Sequence, residues 1–424
     1  MIGKKRIVII GNGAAGLTAL EAFRRRDRDS SVVLIDRESV PAYSRVITPY
    51  YIMGALKKEE NLFLRTEGFY RQRGVRALFG RTVEAIDTRA RFVVLDRGER
   101  EPFDLLLIAT GASPNHPDMK GAAPGDLLVL RDLAHARRLK EIRERGGEGL
   151  FLGAGLVSLQ TLQAMHKTGS RPTLVVKSDR ILSQTLDFEG AALVETRLEK
   201  MGVRVMKERE VLYLEKGATV VLDKGERVLA DFVFAGKGIR PNTGFLQESG
   251  VEARSGILVD RHLETSIEGI YAAGDVARAP DFFSGEQVNY GLWPSAVEQG
   301  EIAGKNLAGA KEAYSGNLRM NVSRIFAIPL ASIGDIGSER VKEAWVVKDE
   351  KQGTYRKLCL NEKGILVGAV LINRMEDVGV IQGFIRTRRE TGFLMAHSAW
   401  KSSVSYGMVY QGIRTGMSPN NRNL

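Results

Sequence analysis

Ile7-Val8-Ile9-Ile10 runs directly into Gly11-Asn12-Gly13-Ala14-Ala15-Gly16. An apolar strand, Arg6–Ile10, thus ends in three glycines spaced as in a nucleotide-cradling turn, and Ala14–Arg25 continues with a helical pattern. Gly11 permits the sharp turn, Gly13 lets backbone approach a pyrophosphate, and Gly16 lets helix pack on strand. The phosphate would sit at the helix N-terminus, over Ala14 and Ala15, where unpaired N–H groups and the helix dipole favour negative charge. A second strand, Val32–Asp36, ends on an acid twenty residues after Gly16. That is the reach at which a carboxylate accepts from a ribose 2′-OH. A glycine-rich turn before an ordinary buried helix would not need this acid. The stretch therefore predicts a βαβ unit that binds a dinucleotide.

A chain of 424 residues has the length for two or three domains, and 43% hydrophobic with 27% charged residues is the balance of a globular enzyme. The single cysteine, Cys359, excludes an intrachain disulfide and any cysteine-based metal cluster held by this chain alone, which fits a reducing cytoplasm. No metal site is expected. The opening MIGKKRIVII imitates a signal peptide, but its apolar run is the first strand of the nucleotide fold. No apolar stretch reaches the length of a membrane span. The net charge of +11 points to bound phosphates and to an acidic partner surface. Basic runs such as Arg24-Arg25-Arg26 and Arg386–Arg389 read as solvated helix faces. Aromatic residues do not interleave with them, which speaks against nucleic acid.

Strands and helices alternate through the first two thirds, the pattern of parallel sheets with crossover helices. Thr82–Ile86 and Phe92–Leu95 are short β pieces, and Phe103–Ala109 is a near-continuous apolar strand, as expected of one buried on both faces. A second unit begins with the strand Leu150-Phe151-Leu152, the turn Gly153-Ala154-Gly155-Leu156-Val157-Ser158, the helix Leu159–His166 and the strand Thr173–Lys177. Residues 1–118 and 251–312 form the first nucleotide domain. Residues 119–250 form the second, with Gly149–Gly244 as its inserted core. Residues 313–424 form a smaller α+β domain with strands such as Ala344–Val347, Lys357–Leu360 and Ile365–Ile372, ending in the polar tail Ser418–Leu424.

Taken together, GNGAAG, Ala109-Thr110-Gly111, Gly238-Ile239-Arg240-Pro241-Asn242 and Gly269-Ile270-Tyr271-Ala272-Ala273-Gly274-Asp275 resemble the pyridine-nucleotide–disulfide oxidoreductase superfamily over roughly residues 4–310. The resemblance implies an α/β, glutathione-reductase-like fold of two Rossmann-like domains plus the C-terminal α+β domain. It also implies that Asp275 hydrogen-bonds the ribityl chain of an FAD, which Arg37, Val83, Ala109, Thr110, Gly111, Gly238 and Gly274 help to hold. Read from the residues alone, Asp275 could cap a helix beginning near Val276, and both roles can hold together. Pro41-Ala42-Tyr43-Ser44-Arg45 and Trp293-Pro294-Ser295-Ala296-Val297-Glu298-Gln299-Gly300 resemble the branch of ferredoxin reductases, rubredoxin reductases and nitrite reductase flavin portions. There Arg45 would lie against the flavin, and Trp293–Gln299 would close over the ring. Alternatively Trp293-Pro294 is a rigid turn with a buried aromatic.

The departures narrow the chemistry. Aligned on Pro49-Tyr50-Tyr51, thiol-using members of the superfamily would carry a cysteine near Val46, and this chain has none there. Thiol–disulfide exchange needs a thiolate, so electrons must leave the flavin directly. Ser158 replaces the third glycine of the second turn and strains that site without abolishing it. Lys177 follows Ser158 by nineteen residues, where an acid would favour NADH. The lysine can pair with a 2′-phosphate, helped by Arg180, or stand solvated beside bound NADH, so the nucleotide is written NAD(P). By resemblance, a lysine belongs near Tyr50 and a glutamate at Gln160, both close to the reactive flavin nitrogen. Here both are neutral, which avoids leaving either charge unpaired.

The expected function is an FAD-dependent NAD(P)H:acceptor oxidoreductase. Arg45, Tyr50 and Gln160 tune the flavin, while Gly153, Gly155, Leu156, Ser158 and Lys177 hold the nicotinamide nucleotide. The acceptor is an iron–sulfur carrier or subunit, by similarity to the FAD subunits of nitrite reductases or tungsten aldehyde oxidoreductases. An oxidase and a flavin-bound non-catalytic subunit are the alternatives.

Overall fold

The computed structural model describes residues 4–117, 119–123, 125–215 and 219–391. The expected tail Ser418–Leu424, and the part of the basic, aromatic-bearing end Arg386–Tyr410 beyond residue 391, lie outside the described residues. The chain runs through β1 (Arg6–Ile10), α1 (Ala14–Arg26), β2 (Ser31–Asp36), α2 (Thr48–Ile52), β3 (Val75–Phe79), β4 (Leu105–Ile108), β5 (Leu127–Leu128) and α3 (Leu133–Arg145). It continues through β6 (Gly149–Leu152), α4 (Leu156–Met165), β7 (Thr173–Val176), α5 (Phe188–Lys200), β8 (Arg204–Lys207), β9 (Phe232–Ala235), β10 (Ile270–Ala272) and α6 (Trp293–Leu307). The last elements are β11 (Met320–Ile325), β12 (Ile328–Gly334), β13 (Glu343–Asp349), β14 (Thr354–Leu360), β15 (Leu366–Ile372) and α7 (Val378–Thr387). These elements fall into two compact units, one of Met1–Pro117, Val129–Arg145 and Lys237–Leu318, the other of Asp118–Leu128, Gly146–Gly236 and Arg319–Leu424.

In the first unit the apolar runs form a five-stranded parallel sheet in the order β10-β4-β1-β2-β3. Ile7, Val8 and Ile9 are at most 1% exposed and Leu106–Ile108 are fully buried, so the central strands bury both faces. Each such side chain contributes roughly 1.5–3 kcal/mol on burial. Helices α1 and α6 cross closely because small residues face each other. A side-chain carbon on Gly300 would strike the backbone of Ala15, and one on Gly304 that of Ala19. This crossing joins two pieces of chain nearly three hundred residues apart. Residues 129–145 and 237–250, assigned by sequence to the second nucleotide domain, make their contacts in this unit. Ile239–Pro241 pairs antiparallel with Ala112–Pro114, and α3 packs on α2, with Arg137 bound to Glu59 at 2.5 Å.

One expectation fails here. No helix begins near Val276; Ala277–Pro280 is a strand paired in parallel with Ile257–Leu258. Alternation of small apolar residues with Arg278 suits a half-buried strand, and Pro280 closes it. Asp275 therefore caps no helix, and no helix start there offers an anion site.

The second unit is again a parallel sheet, β8-β7-β6-β9-β5; β9-β6-β7-β8 repeat the order β4-β1-β2-β3, but the edge strand β5 precedes them in the chain where β10 follows. Its helix α4 starts at Leu156, three residues earlier than the sequence pattern placed it, because the turn feeds straight into it. The unit also holds a three-stranded antiparallel sheet of Val211–Glu215, Thr219–Leu222 and Arg227–Leu229, and a five-stranded antiparallel sheet, β11-β12-β15-β14-β13, with α7 packed on β15 and β12.

Candidate functional site

The first turn separates glycines required by packing from one that is not. Gly11 has φ +103°, and a side-chain carbon there would strike the Ala109 carbonyl; one on Gly16 would strike the Gly11 carbonyl. A carbon on Gly13 would meet nothing within 4 Å. Internal packing gives no reason for that glycine, so the open space in front of it is a cradle shaped for something else. Gly13 is also the N-cap of α1, has no side chain to cap with, and no acid stands in the first turn. The first-turn N–H groups of Ala14, Ala15 and Gly16 are thus presented to an anion. The residues fit a bound pyrophosphate.

Asp36 ends β2 with one carboxylate oxygen accepting from Asn12 N at 2.5 Å and the other from Glu38 N at 2.8 Å. Burial pushes its carboxyl above the ordinary range against the pull of those amides. Each oxygen keeps a lone pair for a ribose hydroxyl. Arg37, next along, is exposed, and Val83 is buried at the start of the strand Val83–Asp87.

Arg45 is held by a cluster that sequence reasoning did not foresee. Its guanidinium donates to Glu38 at 2.5 Å, to the Tyr43 hydroxyl at 2.7 Å and to the Arg131 carbonyl at 2.7 Å, and Tyr43 donates to Glu38 at 2.8 Å. Burial works against the charge on Arg45, but Tyr43 and Glu38 outweigh it and raise its pKa. Arg131, also missed, binds the Asp275 carboxylate at 2.8 Å, with both side chains largely shielded. Glu38, Arg45, Arg131 and Asp275 thereby form one chain of contacts. Tyr50 stands on α2, 42% exposed.

The loop bearing Gly274 and Asp275 abuts the first turn, since a side-chain carbon on Gly274 would lie 3.0 Å from that of Ala15. A buried polar web sets the loop. Gln299 accepts from Gly274 N at 2.7 Å and donates to Asn317 at 2.8 Å, while Asn289 donates to the Asp275 carbonyl at 2.6 Å. Trp293, half-buried, is the first residue of α6, with Pro294 behind it. Ala109 is buried beneath the first turn. Thr110 and Gly111 are tied to Asn242: its side chain donates to the Thr110 carbonyl at 2.8 Å and its N–H to the Gly111 carbonyl at 3.0 Å. Gly238 takes a positive φ beside Asn115. Ala109 and the Gly274 loop, from distant parts of the first unit's sequence, thus both border the first turn.

In the second unit Gly153 makes the sharp turn with φ +89°, and a carbon on Gly155 again faces open space at the start of α4, ahead of Leu156. Ser158 is 1% exposed, and what accommodates it is Gly236, where any side-chain carbon would strike its Oγ. Gly236 follows β9 as Ala109 follows β4, so glycine and larger residue have exchanged places across the helix–strand contact. Gln160 donates to the Ser323 hydroxyl at 2.8 Å. Lys177 stands exposed after β7 in an ion pair with Glu210, another residue the sequence reading did not name.

Comparison with known proteins agrees with this geometry. Residues 5–300 match the pyridine nucleotide-disulphide oxidoreductase family, and 320–389 match the rubredoxin NAD+ reductase C-terminal domain. The chain is 30% identical over 390 residues to the epsilon subunit of the NADH-dependent phenylglyoxylate dehydrogenase of Aromatoleum evansii, covering 91% of this chain and 92% of that one. It is 31% identical over 391 residues to the NADH oxidase of Methanocaldococcus jannaschii, with 87% of each chain covered. Among solved structures, the NAD-dependent persulfide reductase of A. fulgidus superposes with a TM-score of 0.86 at 24% identity, over 97% of this chain and 84% of that one. Putidaredoxin reductase in its covalent complex with putidaredoxin gives 0.86 at 24%, over 93% and 96%. The chain belongs to the pyridine nucleotide-disulphide oxidoreductase family, whose members use FAD and NAD(P)H, and it is an NAD(P)H oxidoreductase.

Proposed function

We propose that this chain is the flavin-bearing component that moves electrons between NAD(P)H and an iron–sulfur protein or subunit. The observation that supports the proposal is an open glycine cradle at the start of α1, in a chain without a usable thiol. Cys359, the single cysteine, is buried in β14, and burial pushes its thiol up to about 12. A thiol so rarely ionised is no relay. Bound FAD supplies the ability to take a hydride from a nicotinamide and to release electrons singly.

The chain's residues bind and orient. The first-turn amides of Ala14, Ala15 and Gly16 take the pyrophosphate and Asp36 takes the ribose hydroxyls. Asp275, aimed by Arg131, accepts from the ribityl chain. Arg37, Val83, Ala109, Thr110, Gly111, Gly238, Gly274 and Trp293 complete the enclosure. Arg45, Tyr50 and Gln160 are the residues proposed to tune the flavin. Gly153, Gly155, Leu156 and Ser158 seat the second nucleotide. Orientation and electrostatics, not acid–base steps on a substrate, are what the protein contributes. The net charge of +11 fits an acidic partner drawn in by complementary potential. The likeness to a dehydrogenase subunit supports membership of a complex.

A second reading, transfer to oxygen, is favoured by the likeness to an NADH oxidase. Stopped-flow mixing of the reduced protein with air-saturated buffer and, separately, with a reducible ferredoxin decides between them. The proposal expects slow reoxidation by oxygen and fast reoxidation by the iron–sulfur protein; the reverse order overturns it.

A further inference from the structure

The edge of the second unit that would read the adenosine ribose carries one more carboxylate than cation. Strand β7 ends at Val176, and the segment after β8 is hydrogen-bonded back onto that end. Arg209 N donates to Val176 O at 3.1 Å, and Glu208 N to Ser178 O at 3.3 Å. This lays Glu210 beside Lys177, where the two side chains pair. The neighbouring cations are also engaged. Arg180 donates to Asp179 at 2.9 Å and to the carbonyls of Ser183 and Leu186, both at 3.3 Å, and its guanidinium lies 4.5 Å from the Phe188 ring centroid. Arg209 donates to Glu226 at 3.1 Å and to the Glu208 carbonyl at 3.0 Å. Three cations, Lys177, Arg180 and Arg209, thus share the rim with four carboxylates, Asp179, Glu208, Glu210 and Glu226.

A 2′-phosphate arriving at this rim would have to take Lys177 from Glu210 and then lie beside that carboxylate. A ribose 2′-hydroxyl meets no such repulsion and can donate to it. A dinucleotide fold that binds NAD carries an acid at this strand end, and here the strand end itself carries a lysine. We propose that Glu210, delivered by the segment after β8 and held by Lys177, is the specificity-determining acid that makes this protein select NADH over NADPH. The inference rests on the reading of the second unit as the NAD(P)-binding one. Arg180, committed to its own loop, does not serve a 2′-phosphate.

Equilibrium titration of the oxidised, FAD-loaded full chain with NAD+ and with NADP+ tests this without turnover. The unaltered protein should bind NAD+ more tightly. Glu210→Gln should tighten NADP+ binding about fivefold, the effect of removing one like charge near a phosphate in water, and should weaken NAD+. Lys177→Gln should leave NAD+ the preferred ligand. The ratio of kcat/KM for NADPH and NADH should move in step. Tighter NADP+ binding by the unaltered protein, an unmoved ratio in Glu210→Gln, or a selective loss of NADP+ in Lys177→Gln would each overturn the inference. If NAD+ and NADP+ both bind, and NADH and NADPH both bleach the flavin, while the ratio ignores Glu210, the inference alone fails. If neither binds nor bleaches it, the parent reading fails with it.

Discussion

Replacing Gly13 with serine separates what the protein needs from what its ligand needs. Gly13 has φ −78° and ψ −165°, a conformation open to any residue, and a carbon added there meets no atom within 4 Å. Serine is also a somewhat better helix N-cap than glycine, by a few tenths of a kcal/mol. The flavin-free variant should therefore be as stable as the parent or slightly more so. Binding should suffer, because the hydroxyl would occupy the approach to the first turn and compete for its N–H groups. Losing one or two hydrogen bonds to a charged group, each about 1.5–3 kcal/mol, corresponds to a loss of roughly tenfold to ten-thousandfold in FAD affinity. Fluorescence-quenching titration of the apoprotein with FAD reads the affinity, and thermal unfolding by circular dichroism reads the stability. Gly16→Ala is the contrast. Its added methyl strikes the Gly11 carbonyl, so it should cost about 1–3 kcal/mol in the apoprotein itself. Wild-type affinity in Gly13→Ser, or an apoprotein as destabilised as Gly16→Ala, would refute the assignment of that open space to a pyrophosphate.

Three further outcomes follow from the packing and the charges. Gly236→Ala should destabilise by about 1–3 kcal/mol through its clash with the Ser158 hydroxyl, and Ser158→Gly in the same chain should recover most of it; denaturant melts of the double-mutant cycle read the coupling. Burial pushes the Asp132 carboxyl up, but the His135 ring nitrogen 2.8 Å away and the His135 amide that donates to it at 2.9 Å outweigh it and hold it at about 2. Its folded pKa lies below its unfolded one, so its stabilisation, on the order of 2 kcal/mol, is full above about pH 4 and fades as pH falls through 2. Unfolding of Asp132→Asn should show a flatter dependence over that window. Cys359→Ser should leave NAD(P)H-driven reduction of ferricyanide unchanged, and a large loss would mean that the thiol takes part.

The first cradle was legible because its signal is local. Strand, glycines, helix and acid lie within thirty-one residues, so their order and spacing are read from one short stretch. The groups that aim the cradle were not. Arg131 meets Asp275 across 144 residues and Arg45 meets the Arg131 carbonyl across 86, so no spacing rule reaches them. Ser158 read as strain because Gly236, which relieves it, lies far along the chain. Lys177 hinted at a phosphate because the strand end was read without the loop that brings Glu210 to it. The helix expected near Val276 failed for a related reason. Val276-Ala277-Arg278-Ala279 carries no strong local preference, and its partner strand at Ile257–Leu258 decides its state.

The central claim is that electrons pass through an FAD held by the first unit and go straight to an outside acceptor. Anaerobic reductive titration of the purified protein with NADH tests it most directly. The account predicts a yellow protein whose flavin absorbance is abolished by a single equivalent of NADH per FAD, with no long-wavelength band from a thiolate beside the ring. A colourless chain that takes up no FAD, or one that consumes two equivalents, would contradict it.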